Sequence, residues 1–413
     1  MEPIIKSLLD VDFYKFTMGQ LVFNKYPDTV ITYAFKNRTK GIRLADHVNM
    51  NELRRELDHV KTLHFNKTEI HYLRGTNEYQ DRMFSESYLS FLSNLKLPDY
   101  KLEILDGDIG LKFSGKWVEV IYWETLALSI VNELYYRSLL RKMSKFEREC
   151  VYAVMRLKLA EKIKKLKSKP DITFTDFGTR RRFNKSVQDY VVETLIDELP
   201  ASQFLGTSNT FLAMKHGILP MGTNAHEIFM IVAGLMGQKK SDEGILNSVD
   251  IVLNDWWNQY GWGLSIALPD TFGSDFFLKQ MTVEQARNWK GFRHDSGDPI
   301  EFGEKIIKFY QYHGIDPTSK LIVFSDGLDI DLIIKIADHF KGRIKYTFGW
   351  GTNLTNDLGF LALSLVIKAI LANGEPLVKL SDNLAKAIGE KLEVSRYKRV
   401  CGYTNNVSEE CRY

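Results

Sequence analysis

The stretch ITFTDFGTRRRF, residues 172–183, joins a short β-rich run to a polar turn that leads into a helical segment. Six later stretches repeat this pattern: FLGTSN at 204–209, LPMGTNAHE around Gly222, LSIALPDT at 264–271, GFRHDSGD at 291–298, LIVFSDG at 321–327 and YTFGWGT at 346–352. Strands that alternate with helical segments are typical of a parallel α/β sheet. Seven such units predict an α/β fold with a (β/α) barrel of about seven strands.

Length and composition are those of a globular protein. The chain has 413 residues, which favours two to three domains or one large barrel with additions. Hydrophobic residues make up 44% and charged residues 26%, which excludes both a disordered chain and a membrane-embedded one. The formal net charge of +3 is too small for the positive field of a general nucleic-acid binder. We therefore expect no nucleic-acid partner.

Neither a membrane span nor an export signal is expected. The longest apolar run, residues 358–371, is interrupted by Ser364 and Lys368 and is shorter than the ~20 residues that a spanning helix needs. Residues 1–16 carry acids and show no basic-then-apolar leader. The three cysteines lack C-x-x-C spacing, which favours neither a disulfide framework nor a zinc site. We expect a cytoplasmic protein with no membrane partner.

The pattern divides the chain into three regions. Residues 1–135 mix a hairpin-like strand with helices and predict an N-terminal α+β domain. Residues 136–357 hold the repeated units and predict the barrel, with the active site on its C-terminal rim. Residues 358–413 include a hairpin around Asn373-Gly374, which we expect to pack back on the N-terminal domain and complete it.

One helix is expected at the start of the second region. Residues 137–169 are rich in Lys and Arg, with apolar residues at steps of three to four. This spacing predicts a single amphipathic basic helix. Its predicted core-facing stripe consists of Met143, Phe146, Cys150, Val154, Leu157 and Ile163.

Functional side chains of such barrels lie in the loops that follow the strands. After the first strand, Phe177 is followed by Arg180, whose guanidinium can bind a carboxylate or phosphate in bidentate fashion. After the second, the turn containing Ser208 can present backbone N–H groups to an anion. Each loop taken alone also fits a purely structural helix start.

The next loops carry a histidine and several carboxylates. His226 stands beside Glu227 after a Gly-Thr turn, so a nucleophile or acid/base role and a structural role are about equally supported. Arg293 offers a cation to an anionic ligand, while Asp295 and Asp298 can hold Mg²⁺ or ribose hydroxyls. Asp298 also precedes a proline, as a helix N-cap does.

Two glycine-containing loops complete the rim. FSDG at 324–327 and FGWGTN at 348–353 follow the last strands, and Gly351 and Thr352 let backbone amides approach a phosphate closely. Six anion-compatible loops on one rim indicate a ligand with several negative groups.

The order and spacing of eight motifs resemble the nicotinate phosphoribosyltransferase family. The motifs are SLLDVDFYKFTM near the start, TDFGTRRRF, GTSN, PMGTNAHE, GFRHDSGDP, FSDGLD, FGWGT and VKLSD. The resemblance extends over nearly the whole chain. It implies the type II phosphoribosyltransferase fold, an irregular α/β barrel with an N-terminal α+β domain, working as a homodimer with active sites near the subunit boundary.

The resemblance also implies a reaction. The family joins nicotinate to phosphoribosyl pyrophosphate, giving nicotinate mononucleotide and pyrophosphate in NAD salvage, while ATP is hydrolysed. His226 and Asp295 are the implied catalytic residues: ATP phosphorylates His226, and Asp295 lies near the ribose hydroxyls and the Mg²⁺ pyrophosphate. Mg²⁺ is the implied cofactor and ATP a cosubstrate, and no residue is assigned as a direct metal ligand.

Eight residues are implied in substrate binding: Tyr14, Phe177, Arg180, Ser208, Thr223, Arg293, Gly351 and Thr352. Phe177 and Tyr14 match the aromatic residues that sandwich the pyridine ring, with Tyr14 supplied by the other subunit. Arg293 matches the partner of the nicotinate carboxylate. Gly351 and Thr352 match the loop that binds the ribose 5-phosphate.

Three alternatives remain open from the sequence. Nicotinamide phosphoribosyltransferases share the fold but carry an acidic residue at the position of Ser208, where a carboxylate would repel nicotinate. A catalytically inactive metabolite sensor is a second alternative, although His226, Arg293 and Asp295 are all present. A phosphosugar aldolase or isomerase barrel is a third, but the predicted strands offer no Schiff-base lysine.

Overall fold

The N-terminal region packs helices against three long strands. The structure, a computed structural model, describes residues 2–78, 81–237, 241–405 and 408–409. The helices here are α1 Tyr14–Lys25, α2 Met50–Lys61, α3 Lys67–Gly75, α4 Glu86–Ser93, α5 Trp117–Val120 and α6 Trp123–Arg141. The strands are β1 Val30–Asn37, β2 Asn77–Glu78, β3 Asp81–Arg82, β4 Tyr100–Leu105 and β5 Asp108–Lys116. Helix α6 is buried from Trp123 to Tyr136, as a helix with apolar residues on every face requires.

The middle region alternates strands and helices, as predicted. Its strands are β6 Phe174–Asp176, β7 Phe204–Thr207, β8 Ile266–Ala267, β9 Gly291–His294, β10 Leu321–Phe324 and β11 Lys345–Trp350. Its helices are α7 Lys145–Lys167, α8 Lys185–Glu198, α9 Thr210–His216, α10 His226–Met236, α11 Asp242–Tyr260, α12 Ser274–Gln280, α13 Val283–Asn288, α14 Pro299–Tyr312, α15 Ile330–Phe340 and α16 Thr352–Thr355. The strands form one parallel sheet in the order β7-β6-β11-β10-β9-β8.

The described part of this sheet has six strands, so the expected barrel of about seven strands is not confirmed. The missing unit is the stretch around Gly222, which forms a single bridge between Pro220 and Thr207 at the edge of β7. Thr207 N donates to Leu219 O at 3.2 Å and Met221 N donates to Thr207 O at 2.9 Å, and the described pairing with β7 goes no further. The segment therefore runs along the sheet edge without extending it.

The C-terminal region joins the N-terminal sheet. It contains β12 Leu365–Ala372, β13 Glu375–Pro376 and α17 Lys391–Val400. Strand β12 pairs antiparallel with β1, and the five-stranded sheet has the order β13-β12-β1-β5-β4. The predicted hairpin is confirmed: Asn373 and Gly374 have φ of 49° and 87°, the left-handed conformations that a tight two-residue turn needs.

The single basic helix expected over residues 137–169 is two helices, because α6 ends at Arg141 and a capping box at Ser144 starts α7. Most of the predicted core stripe is wrong, since Phe146 is 73% and Leu157 71% exposed. The face that packs inward carries Ile163 of the predicted stripe together with Met155, Leu159 and Leu166. Both faces have apolar residues at helical spacing, so periodicity alone could not choose between them.

No described helix is long and apolar enough to cross a membrane. Cys150 is exposed and Cys401 is buried, and both are free thiols. Cys411 lies outside the described residues.

Candidate active site

The carboxyl ends of the parallel strands open into one cavity. All predicted site residues except Thr223 line it: Tyr14, Phe177, Arg180, Ser208, His226, Arg293, Asp295, Gly351 and Thr352. Thr223 is not among the described lining residues, and its carbonyl oxygen accepts a hydrogen bond from Thr17 Oγ1 at 2.6 Å. Loops that are far apart in sequence meet here because parallel strands present their carboxyl ends at one edge.

The end of β6 is shaped by a buried carboxylate. Asp176 accepts hydrogen bonds from Thr207 Oγ1 at 2.7 Å and Gln188 Nε2 at 2.8 Å. Gly349 of β11 leaves room for the ring of Phe177, since a β-carbon at Gly349 would clash with it. These contacts hold the Phe177 ring at the cavity wall.

His226 is the first residue of α10, and its side chain is almost completely buried. Its Nε2 lies 2.8 Å from Asp295 Oδ2 and 3.6 Å from Asp270 Oδ1. Its Nδ1 lies 3.0 Å from Thr271 Oγ1. Asp295 lines the cavity, whereas Asp270 and Thr271 are not among the described lining residues. The Nε2 edge of the imidazole therefore lies on the cavity side.

Protonation follows from these surroundings. Burial lowers the pKa of His226 to about 4, against the opposing charge of Asp270. Burial raises the pKa of Asp295, but the hydrogen bond from His226 and the charge of Arg293 hold it well below its usual range. A neutral imidazole beside an ionised carboxylate carries its proton on Nε2, which donates to Asp295. Nδ1 then accepts from the hydroxyl of Thr271.

This low pKa predicts a pH effect on stability. An unfolded histidine titrates near 6.5, so between about pH 6.5 and 4 the unfolded state binds the additional proton. His226 thus contributes stability above pH 6.5 that is lost as the pH falls towards 4, about 3 kcal/mol in all. Urea unfolding at pH 7, 5.5 and 4 should show a steeper loss for wild type than for His226→Asn. Parallel pH profiles would contradict the buried neutral imidazole.

Asp270 and Asp295 fit the Mg²⁺ that the resemblance implies. Ligand atoms of His226, Asp270 and Asp295 lie within 4.8 Å of one another. Asp270 Oδ1 is buried and has no hydrogen-bond partner among the described residues. Two carboxylates supply the oxygen donors that Mg²⁺ prefers.

Arg293 reaches the cavity from the end of β9. Its Nη1 donates to the carbonyl oxygen of Asn224 at 3.1 Å. Its Nε is buried and has no hydrogen-bond partner in the described part of the chain. The guanidinium therefore retains a donor for an anionic ligand.

Asp12 is a cavity residue that the sequence analysis missed. Its buried carboxylate accepts a hydrogen bond from Ser208 Oγ at 2.7 Å and lies 3.4 Å from Arg180 Nε. Burial raises the pKa of Asp12, and Arg180 opposes this rise. A carboxylate thus already lies beside Ser208, with a guanidinium to balance its charge. Asp12 belongs to the quoted motif SLLDVDFYKFTM, but no sequence pattern indicates that this segment packs against the loop after β7.

Tyr14 lines the cavity of its own chain, and its supply by a partner subunit stays a prediction. The segment before α1 is fixed to the loop after β7, since Phe13 N donates to Ser208 O at 2.7 Å. The phenol of Tyr14 donates to Glu124 Oε2 at 3.1 Å. Distance in sequence from the barrel loops suggested a partner, but tertiary packing brings α1 to them.

The opposite wall carries four cations that the sequence analysis did not assign to the site. They are Arg38, Lys368, Lys379 and Lys386. Lys386 Nζ donates to Asp295 O at 2.6 Å and to Asp326 Oδ1 at 2.5 Å. Burial lowers the pKa of Lys379. Arg38 follows β1 and Lys368 lies on β12, so the five-stranded sheet supplies these two cations of the wall.

A buried ion pair anchors the loops from behind. Asp10 and Arg182 are both fully buried and meet in two contacts, Nη1 to Oδ1 at 2.7 Å and Nη2 to Oδ2 at 2.9 Å. Asn209 Nδ2 donates to the same carboxylate at 2.7 Å. The pair joins the N-terminal segment to the loops after β6 and β7.

The fold and the site together define a class of protein. A parallel α/β sheet carries guanidinium groups and a glycine loop on its carboxyl edge, and a lysine-rich wall faces them. This arrangement is typical of an enzyme that acts on substrates bearing several phosphate groups.

Comparison with known proteins identifies the family. Residues 172–405 match the model of the nicotinate phosphoribosyltransferase family, and residues 9–132 match the model of its N-terminal domain. The chain is 33% identical to a nicotinate phosphoribosyltransferase from Vibrio cholerae, with a TM-score of 0.86 over 99% of this chain and 95% of that one. It is 30% identical to one from Porphyromonas gingivalis, with a TM-score of 0.85 over 97% of this chain and 100% of that one. The chain belongs to the nicotinate phosphoribosyltransferase family.

Proposed function

We propose that this protein joins nicotinate to phosphoribosyl pyrophosphate and couples the reaction to ATP hydrolysis through a phosphohistidine at His226. The observation that carries the proposal is the placement of His226 Nε2 on the cavity side, 2.8 Å from Asp295 Oδ2, in a cavity walled by arginines and lysines. The products are nicotinate mononucleotide and pyrophosphate, with ADP and phosphate from ATP.

The transfer is a displacement at the anomeric carbon of ribose. The ring nitrogen of nicotinate forms a bond to this carbon, the bond from carbon to pyrophosphate oxygen breaks, and its electron pair leaves with pyrophosphate. The transition state has oxocarbenium character, so fixed charges contribute more than a strong base. Lys368, Lys379 and Lys386 would stabilise the departing anion.

Nicotinate would bind between the rings of Phe177 and Tyr14. Arg293 and Arg180 would face its carboxylate, because both guanidinium groups line the same cavity. The backbone around Gly351 would receive the ribose 5-phosphate, together with the neighbouring Thr352.

Asp295 and Asp270 would hold Mg²⁺. Mg²⁺ neutralises charge on pyrophosphate when it is bound. Asp295 would also accept hydrogen bonds from ribose hydroxyls, a role that its ionised state allows.

ATP coupling would begin at the imidazole. Nε2 of His226 forms a bond to the terminal phosphorus of ATP, the bond from that phosphorus to ADP oxygen breaks, and the electron pair leaves with ADP. This attack uses the tautomer that carries its proton on Nδ1, where it donates to Thr271 Oγ1, so that the lone pair of Nε2 forms the new bond. Water later hydrolyses the phosphoimidazole and releases phosphate. The added charge would favour a tight-binding state of the site while the phosphate is attached.

Arg293→Ala is expected to raise the Michaelis constant for nicotinate by about 10- to 100-fold, because a charge-assisted hydrogen bond worth ~1.5–3 kcal/mol is lost. Steady-state kinetics with phosphoribosyl pyrophosphate held saturating measures the change. The Michaelis constant for phosphoribosyl pyrophosphate should change much less. An unchanged Michaelis constant for nicotinate would show that Arg293 does not bind the nicotinate carboxylate.

Ser208→Asp is expected to weaken nicotinate binding more than tenfold. The new carboxylate would lie beside Asp12, and the single guanidinium of Arg180 cannot balance two charges. Measuring whether this variant uses nicotinamide tests the alternative in which the site is specific for the amide. Normal nicotinate kinetics would show that Ser208 does not face the ring substituent.

The proposal is tested by measuring nicotinate mononucleotide and ADP in the same reaction with purified protein. We expect both products, faster nucleotide formation with ATP than without it, and loss of nucleotide when phosphoribosyl pyrophosphate is omitted. Binding of nicotinate without any product would favour the metabolite sensor. The homodimer is part of the proposal, and sedimentation equilibrium should give twice the chain mass.

A further inference from the structure

Glu124 lies behind the cavity and contacts three of the side chains that line it. It belongs to the first turn of α6 and is itself almost completely buried. Its Oε2 accepts from the Tyr14 phenol at 3.1 Å. Its Oε1 lies 3.5 Å from Arg180 Nη1 and 3.5 Å from Lys368 Nζ. One carboxylate therefore contacts an aromatic residue, a guanidinium and an ammonium that belong to three separate segments.

A buried lysine, Lys15, fixes the Glu124 carboxylate in place. Lys15 Nζ is fully buried and lies 2.6 Å from Glu124 Oε2 and 2.8 Å from Glu227 Oε2. Glu227 accepts in addition from the phenol of Tyr33 at 2.6 Å and from Trp117 Nε1 at 2.8 Å. The position of Glu124 is thus set by groups outside the cavity. Its Oε1 has no hydrogen bond among the described residues and remains directed towards the two cavity cations.

We propose that Glu124 is a positioning residue that keeps Lys368 charged and holds Lys368 and Arg180 in place for an anionic substrate. This inference rests on the proposed function, because it takes the ligand of the lysine wall to be pyrophosphate or a pyrophosphate ester. Glu124 is not among the described cavity-lining residues, so it acts through the residues that it contacts.

The charge state of Lys368 depends on Glu124. Burial lowers the pKa of Lys368 to about 8, and Glu124 is the main group that opposes this decrease. The other charged groups that act on it are Arg180, Lys379 and Arg38, and all three lower its pKa further. Removal of the Glu124 charge would remove the main group that opposes burial and these three cations. Its ammonium would then lose its proton at a lower pH.

The test is calorimetric titration of inorganic pyrophosphate into the protein between pH 6.5 and 9. For wild type we expect affinity to fall as the pH rises through about 8. For Glu124→Gln we expect this fall to begin at a lower pH, with the dissociation constant about tenfold higher at pH 7.5. In a Lys368→Arg background, Glu124→Gln should no longer shift the profile, because arginine stays protonated throughout this range.

Glu133→Gln is the matched control. Glu133 is buried in the same helix and pairs with Arg137 at 2.8 Å, but it is not among the described lining residues of the cavity. Pyrophosphate itself titrates in the same way with wild type and with Glu133→Gln. The pH profile of affinity for Glu133→Gln should therefore follow that of wild type. Glu124→Asp is the second variant, to be used if Glu124→Gln does not fold. It keeps the carboxylate charge, so the pH midpoint of its pyrophosphate affinity should stay near that of wild type.

Two outcomes separate the inference from the proposed function. A Glu124→Gln profile that matches wild type, or an equal shift in Glu133→Gln, would overturn the role of Glu124 while pyrophosphate binding stands. Absence of pyrophosphate binding by wild type would contradict the proposed function, and the inference would fall with it.

Discussion

Asp10→Asn is expected to lower the free energy of unfolding by about 3–5 kcal/mol, because it leaves the guanidinium of Arg182 buried without the carboxylate that holds it. Burial raises the pKa of Asp10, but the charges of Arg182 and Lys185 hold it well below its usual range. The carboxylate is therefore ionised at neutral pH, and the amide cannot replace its charge. Urea unfolding followed by circular dichroism measures the loss.

Asp338→Asn is the control for this variant. Asp338 pairs with Lys169 at 2.7 Å, but its side chain is 55% exposed, and exposed ion pairs contribute little to stability. Its unfolding midpoint should stay within error of wild type. An equally small change for Asp10→Asn would show that the buried pair does not anchor the N-terminal segment.

His226→Asn is expected to abolish phosphoryl transfer from ATP to the protein. Wild type incubated with γ-labelled ATP should acquire a label that is stable in base and lost in acid, as a phosphoimidazole is. The variant should acquire no label and lose stimulation by ATP. Slow ATP-independent nucleotide formation should survive, because Arg180, Arg293 and Asp295 remain in the cavity.

His216→Asn is the matched control for the labelling. His216 pairs with Asp189 at 2.8 Å and is not among the described residues that line the cavity. It should label and respond to ATP as wild type does. A label that persists in His226→Asn would place the phosphoryl acceptor elsewhere and contradict the proposed coupling.

The loops of the parallel sheet could be predicted from sequence because their signals are local. Each strand is short, ends in a polar turn and precedes a helix, and parallel strands bring those turns to one edge. Phe177, His226 and Arg293 were assigned to one site on this ground and line one cavity. The stretch around Gly222 shows the limit, since its composition resembles a strand but it pairs with β7 only through the single bridge at Pro220.

The lysine wall could not be predicted in this way. Lys368 reaches the cavity because β12 pairs with β1, and no local pattern specifies a pairing between strands so distant in the chain. Lys379 lies in the quoted motif VKLSD, but its position in the cavity depends on tertiary packing that the motif does not specify. The sequence does not indicate a role for Glu124, because the role of a buried acid in an apolar helix follows only from the groups that it contacts.

Helix α7 shows a different limit. Its apolar residues occupy two faces, and the spacing fits a buried stripe through Phe146 as well as one through Leu159. Only packing against the rest of the protein selects the face with Leu159, which leaves Phe146 exposed.

Nicotinate and nicotinamide offered side by side to wild-type protein, each with phosphoribosyl pyrophosphate and with or without ATP, test the proposed activity most directly. Chromatography of the products should show nicotinate mononucleotide as the main product and more of it with ATP, since the cavity presents Arg180 and Arg293 to a carboxylate. Nicotinamide mononucleotide as the main product, or no nucleotide from either base, would contradict it.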